Sequence, residues 1–378
     1  MKRNHWIYIV AALFYIVGFW LHIPYGGGHV YSDIVSVFQA RECASGCHLA
    51  IPYLQTFVEY PVLSSMFMYT MGVLGSLFPG NLLDNYYILT SLFLAIPTFL
   101  LIREVSKILQ MRAMNESRVL WYVILTPSFL FMLLLNWYII GVYLATFGMR
   151  KHLEGRHAQS GLLFGLSAAS NLVTALPILG LLLVARGRRV IIDLLGGALA
   201  SYAVVNGPFV LLNPLAWLQP WLYAKNWYIE GSWMLAFLPN ESPLRHYVPI
   251  LVFGALFFTV VLRVRNKTSQ DPLKLSWILT FAFLFSTFIF TPQMNLILLP
   301  FFALQGVTGR YLEFLIFDTI NSLVIILGFS QILLVVGITY SFVAFGSTSI
   351  VQWLAIARSA WTGKMAIYDG IYKLVFKK

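Results

Sequence analysis

Apolar runs of about 17 to 20 residues recur along the chain, each long enough to carry a helix across a hydrocarbon core about 30 Å thick. None shows the strict alternation of a membrane-spanning strand, so the runs specify helices rather than an outer-membrane barrel. Composition agrees: 59% of the 378 residues are hydrophobic and only 10% are charged, against about 25% charged in soluble domains. The expected class is an all-α, polytopic membrane protein without a soluble domain. A net charge of +11 would suit nucleic acid, but the Lys and Arg lie between the apolar runs, where they set orientation instead of forming a binding face. No nucleic-acid partner is expected.

Counting positive charges orders the spans. Lys2 and Arg3 place the N-terminus inside and residues 6–24 form the first span. MKRNH before an apolar run has the charge order of a signal peptide, but no small-residue cleavage site follows, so the run is kept as a span. A polar stretch, 25–61, then lies outside. If both apolar runs that follow, 62–78 and 86–102, crossed the membrane, the basic loop with Arg103, Lys107, Arg112 and Arg118 would fall outside. A re-entrant or interfacial helix at 62–78, closed by Pro79-Gly80, removes the conflict and makes 25–80 one external region.

The remaining expectations follow in order. Spans at 119–135 and 138–149 form a hairpin with Asn136-Trp137 at its external apex. Residues 158–185 are basic at both ends and read as two short limbs meeting near Asn171, with Pro177 irregular, a form tolerated where it lines a polar cavity. A span at 190–210 leads to an external loop, 211–245, with Trp217, Trp221, Trp227 and Trp233. Spans at 247–262, 275–290, 294–308, 313–329 and 331–346 complete about twelve transmembrane helices with both termini cytoplasmic. The transmembrane domain is thus 1–346, and 347–378 reads as a cytoplasmic amphipathic tail. Of 25 Lys and Arg, only Arg41, Lys225 and Arg245 are left outside.

External polar residues concentrate in the first loop, the Asn136 apex, the 211–245 loop and the Thr291-Pro292-Gln293 turn, all on one side. Ionisable groups beside a bilayer are expensive and mark function. Asp33, after Tyr31 and Ser32, suits a general base toward a hydroxyl at the rim of a partly desolvated cavity; a solvated loop Asp or a helix cap is the bland alternative. Glu59, before Tyr60-Pro61, could hold an acceptor or a metal, or cap the re-entrant element. Lys225 within WLYAKNWYIEGSW suits a lipid phosphate among aromatics, or a snorkelling Lys in an interfacial belt. Glu230 and Trp233 follow it, and Gln293 could bind a headgroup or cap a helix.

Cys43 and Cys47 either pair in an oxidising exterior or stay as free thiols. With only His48 nearby, a four-ligand zinc site is not expected there. His22, His29, His48 and His246 share no ligand spacing, and the chain has no Walker loop, no GxSxG and no GxGxxG after a strand.

YSDIVSVF with Asp33, EYPVL from Glu59 to Leu63, SGLLFGLSAASNLVTALPILGLLL, KNWYIEGSW and TPQMNLILLPFFAL occur in that order over about 270 residues. Their types and order resemble the GT-C glycosyltransferases, and within them the polyprenyl-phosphate-mannose-dependent enzymes of the mycobacterial phosphatidylinositol-mannoside group and of GPI mannosyltransferase I. The resemblance implies transfer of a hexose, mannose by that likeness, from a polyprenyl or dolichyl phosphate to a hydroxyl of a lipid or glycan acceptor. It implies inversion at the anomeric carbon on the external or lumenal face, with Asp33 as base. Tyr31, Glu59, Tyr60, Asn136, Asn171, Lys225, Glu230, Trp233 and Gln293 are the expected substrate-binding residues, with Lys225, Asn136 and Gln293 facing the leaving phosphate. Relatives often carry a basic residue where Asn171 stands, and some a second acidic residue where Asn136 stands. No cofactor is implied, with a divalent metal left open. The expected location is a cell membrane, or the endoplasmic reticulum in a eukaryote, among membrane lipids. The competing class is a multi-pass transporter or flippase, which would show two matching halves and a site near the midplane.

Overall fold

The computed structural model describes residues 5–24, 30–43, 48–264, 270–305, 311–329 and 340–376. His29 and Cys47 therefore lie outside the described residues. Every named element is helical. Among the described residues, five helices are long and apolar enough to cross a membrane: His5–His22, Leu82–Met111, Arg188–Leu212, Pro243–Val264 and Tyr311–Gly328. Their lipid-facing character is visible in exposed Leu199, Val204, Leu211, Ile250 and Leu251, which only a hydrocarbon environment accommodates in such number. The all-α membrane class is as expected.

Helix α1 (His5–His22) is followed by α2 (Asp33–Glu42), α3 (Val62–Ser76) and α4 (Leu82–Met111). At 1.5 Å per residue the 15 residues of α3 extend about 22 Å, short of a 30 Å core. It folds back on α4 through a tight turn in which the Asn85 amide donates to the carbonyls of Gly75, Phe78 and Pro79. The next segment, α5 (Ser117–Val119), a π turn at Leu120–Ile124 and α6 (Pro127–Met132), corrects the continuous span expected at 119–135. Pro127 lacks an N–H and forces its predecessor out of the helical region; Thr126 is extended and caps Phe129 N instead.

Helices α7 (Tyr138–Leu153) and α8 (His157–Ser170) form a hairpin, and α9 (Ile178–Val184) follows a short 3-10 turn, Leu172–Ala175. The break at Asn171 falls where it is expected: this residue ends α8 in extended conformation and its side chain accepts from Val173 N at 3.0 Å. Helix α10 (Arg188–Leu212) then lies flush against α8. A Cβ at Gly161, Gly165 or Gly197 would strike backbone of the facing helix, the small-residue contact typical of helices in lipid.

The expected loop 211–245 contains helix α11 (Pro214–Asn226), capped by Asn213, whose side chain accepts from Ala216 N. Helices α12 (Val248–Val264), α13 (Pro272–Ser286), α14 (Leu298–Gln305), α15 (Tyr311–Phe329) and α16 (Tyr340–Lys364) complete the main elements. Helix α16 runs unbroken through the boundary expected at residue 346. The tail expected as a surface helix is instead packed into the body: Ala355, Arg358, Ser359, Thr362, Met365, Ala366 and Ile371 are buried, and Trp361 stacks on Phe317 at 4.1 Å.

Segments expected on the basic side of the membrane are brought together. Arg112 pairs with Asp271 at 2.5 Å, Arg118 donates to the Ala303 carbonyl at 2.6 Å, and Arg150 joins Glu104 to Glu154. None of these residues borders the cavity described next.

Candidate active site

A cavity of about 1030 Å³ is walled by parts of the chain more than 250 residues apart, from Tyr31 to Ile325. Its polar end begins at α2. Ser32 occupies the cap position of that helix but turns its hydroxyl to the Leu134 carbonyl at 2.7 Å, and Ile34 N donates to Leu135 O at 3.3 Å. These bonds fasten the start of α2 to the 134–136 segment. Asp33, the first residue of the helix, is thereby free of capping duty and faces the cavity.

The Tyr60 hydroxyl donates to Asp33 Oδ2 at 2.7 Å and the Asn136 amide reaches the same oxygen at 3.5 Å. Tyr60 is held in turn by Trp137, edge to face at 4.8 Å. Burial raises the Asp33 pKa above the ordinary carboxylate value, while hydrogen bonds from Tyr60, Tyr31 and Asn136 pull it back down. Burial thus makes the carboxylate more basic, and its donors favour the charged form. Tyr60→Phe removes a donor to the charged form and so moves the Asp33 pKa further up. The acid limb of any Asp33-dependent activity is therefore expected to shift toward alkaline pH. A pH–rate profile of the variant checks this.

Glu230 enters from the other wall. Residues 230 and 289 form a parallel bridge, with Glu230 N donating to Phe288 O at 2.9 Å and Phe290 N to Glu230 O at 2.8 Å. The Trp227 indole donates to the Glu230 carboxylate at 2.6 Å. Burial raises the Glu230 pKa, Trp227 counters it, and the Asp33 charge raises it again. The charge of Asp33 is thus felt at Glu230.

Tyr31, Asp33, Glu59, Tyr60, Asn171, Lys225, Glu230 and Gln293, expected to act together, all border this one cavity. Asn136 is fully buried behind Asp33 and bonded to it, so it orients the carboxylate rather than meeting the cavity itself. Trp233 is elsewhere. Its indole donates to Phe285 O at 2.8 Å and stacks on the Phe285 ring at 5.5 Å, which makes it a packing residue of α13. Glu59 neither caps α3, whose cap is Pro61, nor presents a free carboxylate. Both its oxygens take hydrogen bonds from Arg41 at 3.0 Å, and Arg41 lies over Phe57 at 4.9 Å.

The sequence marked Lys225 among aromatics, but not Tyr223, Tyr228 or His246 as its companions in the cavity wall. Tyr223, Trp227 and Tyr228 line the cavity as a run of ring contacts at 5.0 and 4.7 Å. His246 stands there with Lys225, edge-on to Phe288 at 5.6 Å. It was weighed only as a metal ligand, where spacing counts against it. Ile250, Phe253 and Gly254 of α12 form the adjoining wall, and Ile250 is also 70% exposed on the outside of the molecule. Residues of α12, within a stretch long and apolar enough to cross a membrane, thus form part of the cavity wall. Cys43, beside α2, is disulfide-bonded; its expected partner, Cys47, lies outside the described residues. No group of three or more His, Cys, Asp and Glu is placed to hold a metal among the described residues.

These features define a helical membrane protein with a cavity that carboxylates, Lys225 and aromatic rings border together. In comparison with known proteins, the chain matches no family model and no curated protein.

Proposed function

We propose that this protein is a membrane glycosyltransferase that moves a hexose from a polyprenyl-phosphate donor to a hydroxyl acceptor at the external or lumenal face. One observation carries the reading: Asp33, Lys225 and His246 border a single cavity together with residues of α12. A lipid-phosphate sugar needs all three features. Its chain lies against α12, its phosphate meets Lys225 and His246, and its sugar is left among Tyr31, Tyr60, Trp227 and Glu230. A volume of about 1030 Å³ accommodates a sugar phosphate and an acceptor hydroxyl together, being at the upper end of ordinary ligand sites.

The chemistry follows from these residues. The acceptor oxygen attacks the anomeric carbon while its proton passes to Asp33, and the carbon–oxygen bond to phosphate breaks with its electron pair going to the lipid phosphate. Attack opposite the leaving group inverts the anomeric centre. Lys225 and His246 stabilise the charge that develops on the phosphate, and the two hydrogen bonds from Arg41 hold Glu59 away from this role. Mannose remains the preferred hexose by family resemblance.

Purified protein in lipid nanodiscs, supplied with radiolabelled polyprenyl-phosphate mannose and a membrane-lipid extract as acceptor, is expected to release free polyprenyl phosphate and label a second product. Absence of release with every hexosyl donor tried would remove the proposal. Lys225→Ala is expected to raise KM for the donor about tenfold, the worth of one charge-assisted hydrogen bond. Lys225→Ala combined with His246→Ala should raise it further, with the acid limb set by Asp33 unchanged.

A further inference from the structure

The last long helix carries a side chain into the frame of the cavity. Arg358 of α16 is fully buried, with its guanidinium 3.9 Å from the Phe290 ring centre. Its Nη1 donates to Asn321 Oδ1 at 2.6 Å, and its Nη2 donates to the Gly231 carbonyl at 3.2 Å and to that of Phe290. The Asn321 amide in turn donates to the Pro292 carbonyl at 3.1 Å. Gly231 is next to Glu230 and Pro292 is next to Gln293, while Phe290 is three positions before Gln293 and donates its N–H to the Glu230 carbonyl.

The far side of the network is equally fixed. Asn321 also donates to Ser128 Oγ at 3.1 Å, and Ser128 gives its N–H and its hydroxyl to the buried Asp318 carboxylate at 2.7 and 2.5 Å. Asn295, at the end of the Pro292 turn, completes the set by donating to Asp318 and to Ser128 Oγ. A planar fork with several donors in fixed directions is what ties separate backbone carbonyls together, and a flexible ammonium cannot reproduce it. Arg358 Nε and Asn295 Oδ1 are buried without a hydrogen-bond partner among the described residues, so the clamp rests on the bonds from the two Nη atoms and from the Asn321 and Asn295 amides.

We infer that Arg358 is a positioning residue, holding the Glu230 and Pro292–Gln293 walls of the cavity at their working separation through the carbonyls of Gly231, Phe290 and Pro292. It does not border the cavity and touches no substrate. Its consequence for sugar transfer rests on the proposed function, whereas the clamp itself does not.

The test therefore uses two readouts on Arg358→Lys and Arg358→Met, both purified in nanodiscs. The first is the labelling rate of a cysteine introduced as Gln293→Cys with a small maleimide, against the unsubstituted chain as blank. The second is donor KM and kcat per folded protein. The clamp predicts a several-fold change in labelling at 293 in both variants. It also predicts an increase in donor KM of about tenfold or more in Arg358→Lys, because an ångström of misplacement alone costs up to about 100-fold. If Arg358→Met does not fold, Arg358→Lys and Asn321→Ala carry the same expectation. Unchanged labelling together with unchanged Michaelis parameters in a folded Arg358→Lys overturns the inference. Changed labelling in a protein that transfers no sugar even without substitution supports the clamp and sinks the glycosyltransferase reading instead.

Discussion

Asp33→Asn is expected to lower sugar transfer by about 10²- to 10⁴-fold, the usual contribution of a positioned general base, while leaving the protein folded. The substitution is close to a single-atom test. Tyr60 and Asn136 both donate to the same carboxylate oxygen, Oδ2, and the amide oxygen of Asn can sit there and accept both. Ser32, which pins the start of α2 to Leu134, is untouched. What is lost is the capacity to take the acceptor's proton. Donor binding, set at Lys225 and His246, should persist, so the loss should appear in kcat with KM for the donor nearly unchanged. Asp33→Ala should be as inactive, and equal transfer by either variant and the parent would show that Asp33 is not the base. The rate of the parent enzyme should fall as pH drops through a pKa raised above the ordinary carboxylate value, because burial favours the protonated form.

Gly231→Ala carries the second largest effect, and on a different link of the account. Gly231 has φ +64°, where a side chain is strained, and a Cβ there would overlap the Phe290 carbonyl oxygen and lie 2.6 Å from Arg358 Nη2. The left-handed conformation costs about 1–2 kcal/mol for a residue with a Cβ, and overpacking adds about 1–3 kcal/mol. Both neighbours belong to the clamp, so the strain cannot be relieved without moving the 230–289 bridge or the guanidinium. The expected outcome is a folded but thermally weakened protein with transfer reduced at least as much as in Arg358→Lys. Thermal unfolding in nanodiscs, read with the transfer rate, checks it. A melting temperature and a rate both equal to the parent's would show that this wall tolerates displacement.

The residues that face the cavity were legible because polar groups are rare in this chain. Asp33, Tyr60, Asn171, Lys225, Glu230 and Gln293 stand out of apolar surroundings, and spacing between spans puts them in one region before any coordinates exist. The break at Asn171 was legible for the same reason: a segment with basic residues at both ends cannot cross once. Trp233 was not separable from Trp227 by composition, since whether an indole meets a cavity or a helix depends on packing across α13. Glu59 was left open between an acceptor or metal site and a cap, because its partner, Arg41, lies 18 residues away.

The buried network had a signal that went unread. Asp318, Asn321 and Ser322 fall at i, i+3 and i+4 within an apolar helix, a polar stripe that must face protein rather than lipid. Arg358 was assigned to a surface tail because positive-inside counting treats every late Arg as a flank. Its neighbours in AIARSAWTG are small and apolar, and that context, rather than its charge, marked a packed helix. The break at Pro127 was likewise written in the sequence, but a hydropathy window averages over it.

The central claim is that Asp33, Lys225 and His246 of one cavity act together in sugar transfer with inversion. The most direct test is the fate and anomeric configuration of labelled hexose, supplied as polyprenyl phosphate of known anomer to purified protein reconstituted in sealed vesicles. The account predicts label in a hydroxyl-linked product of the opposite configuration, released polyprenyl phosphate in equal amount, and neither in Asp33→Asn. Intact labelled donor carried from one leaflet to the other, with no product and no effect of Asp33→Asn, would contradict it.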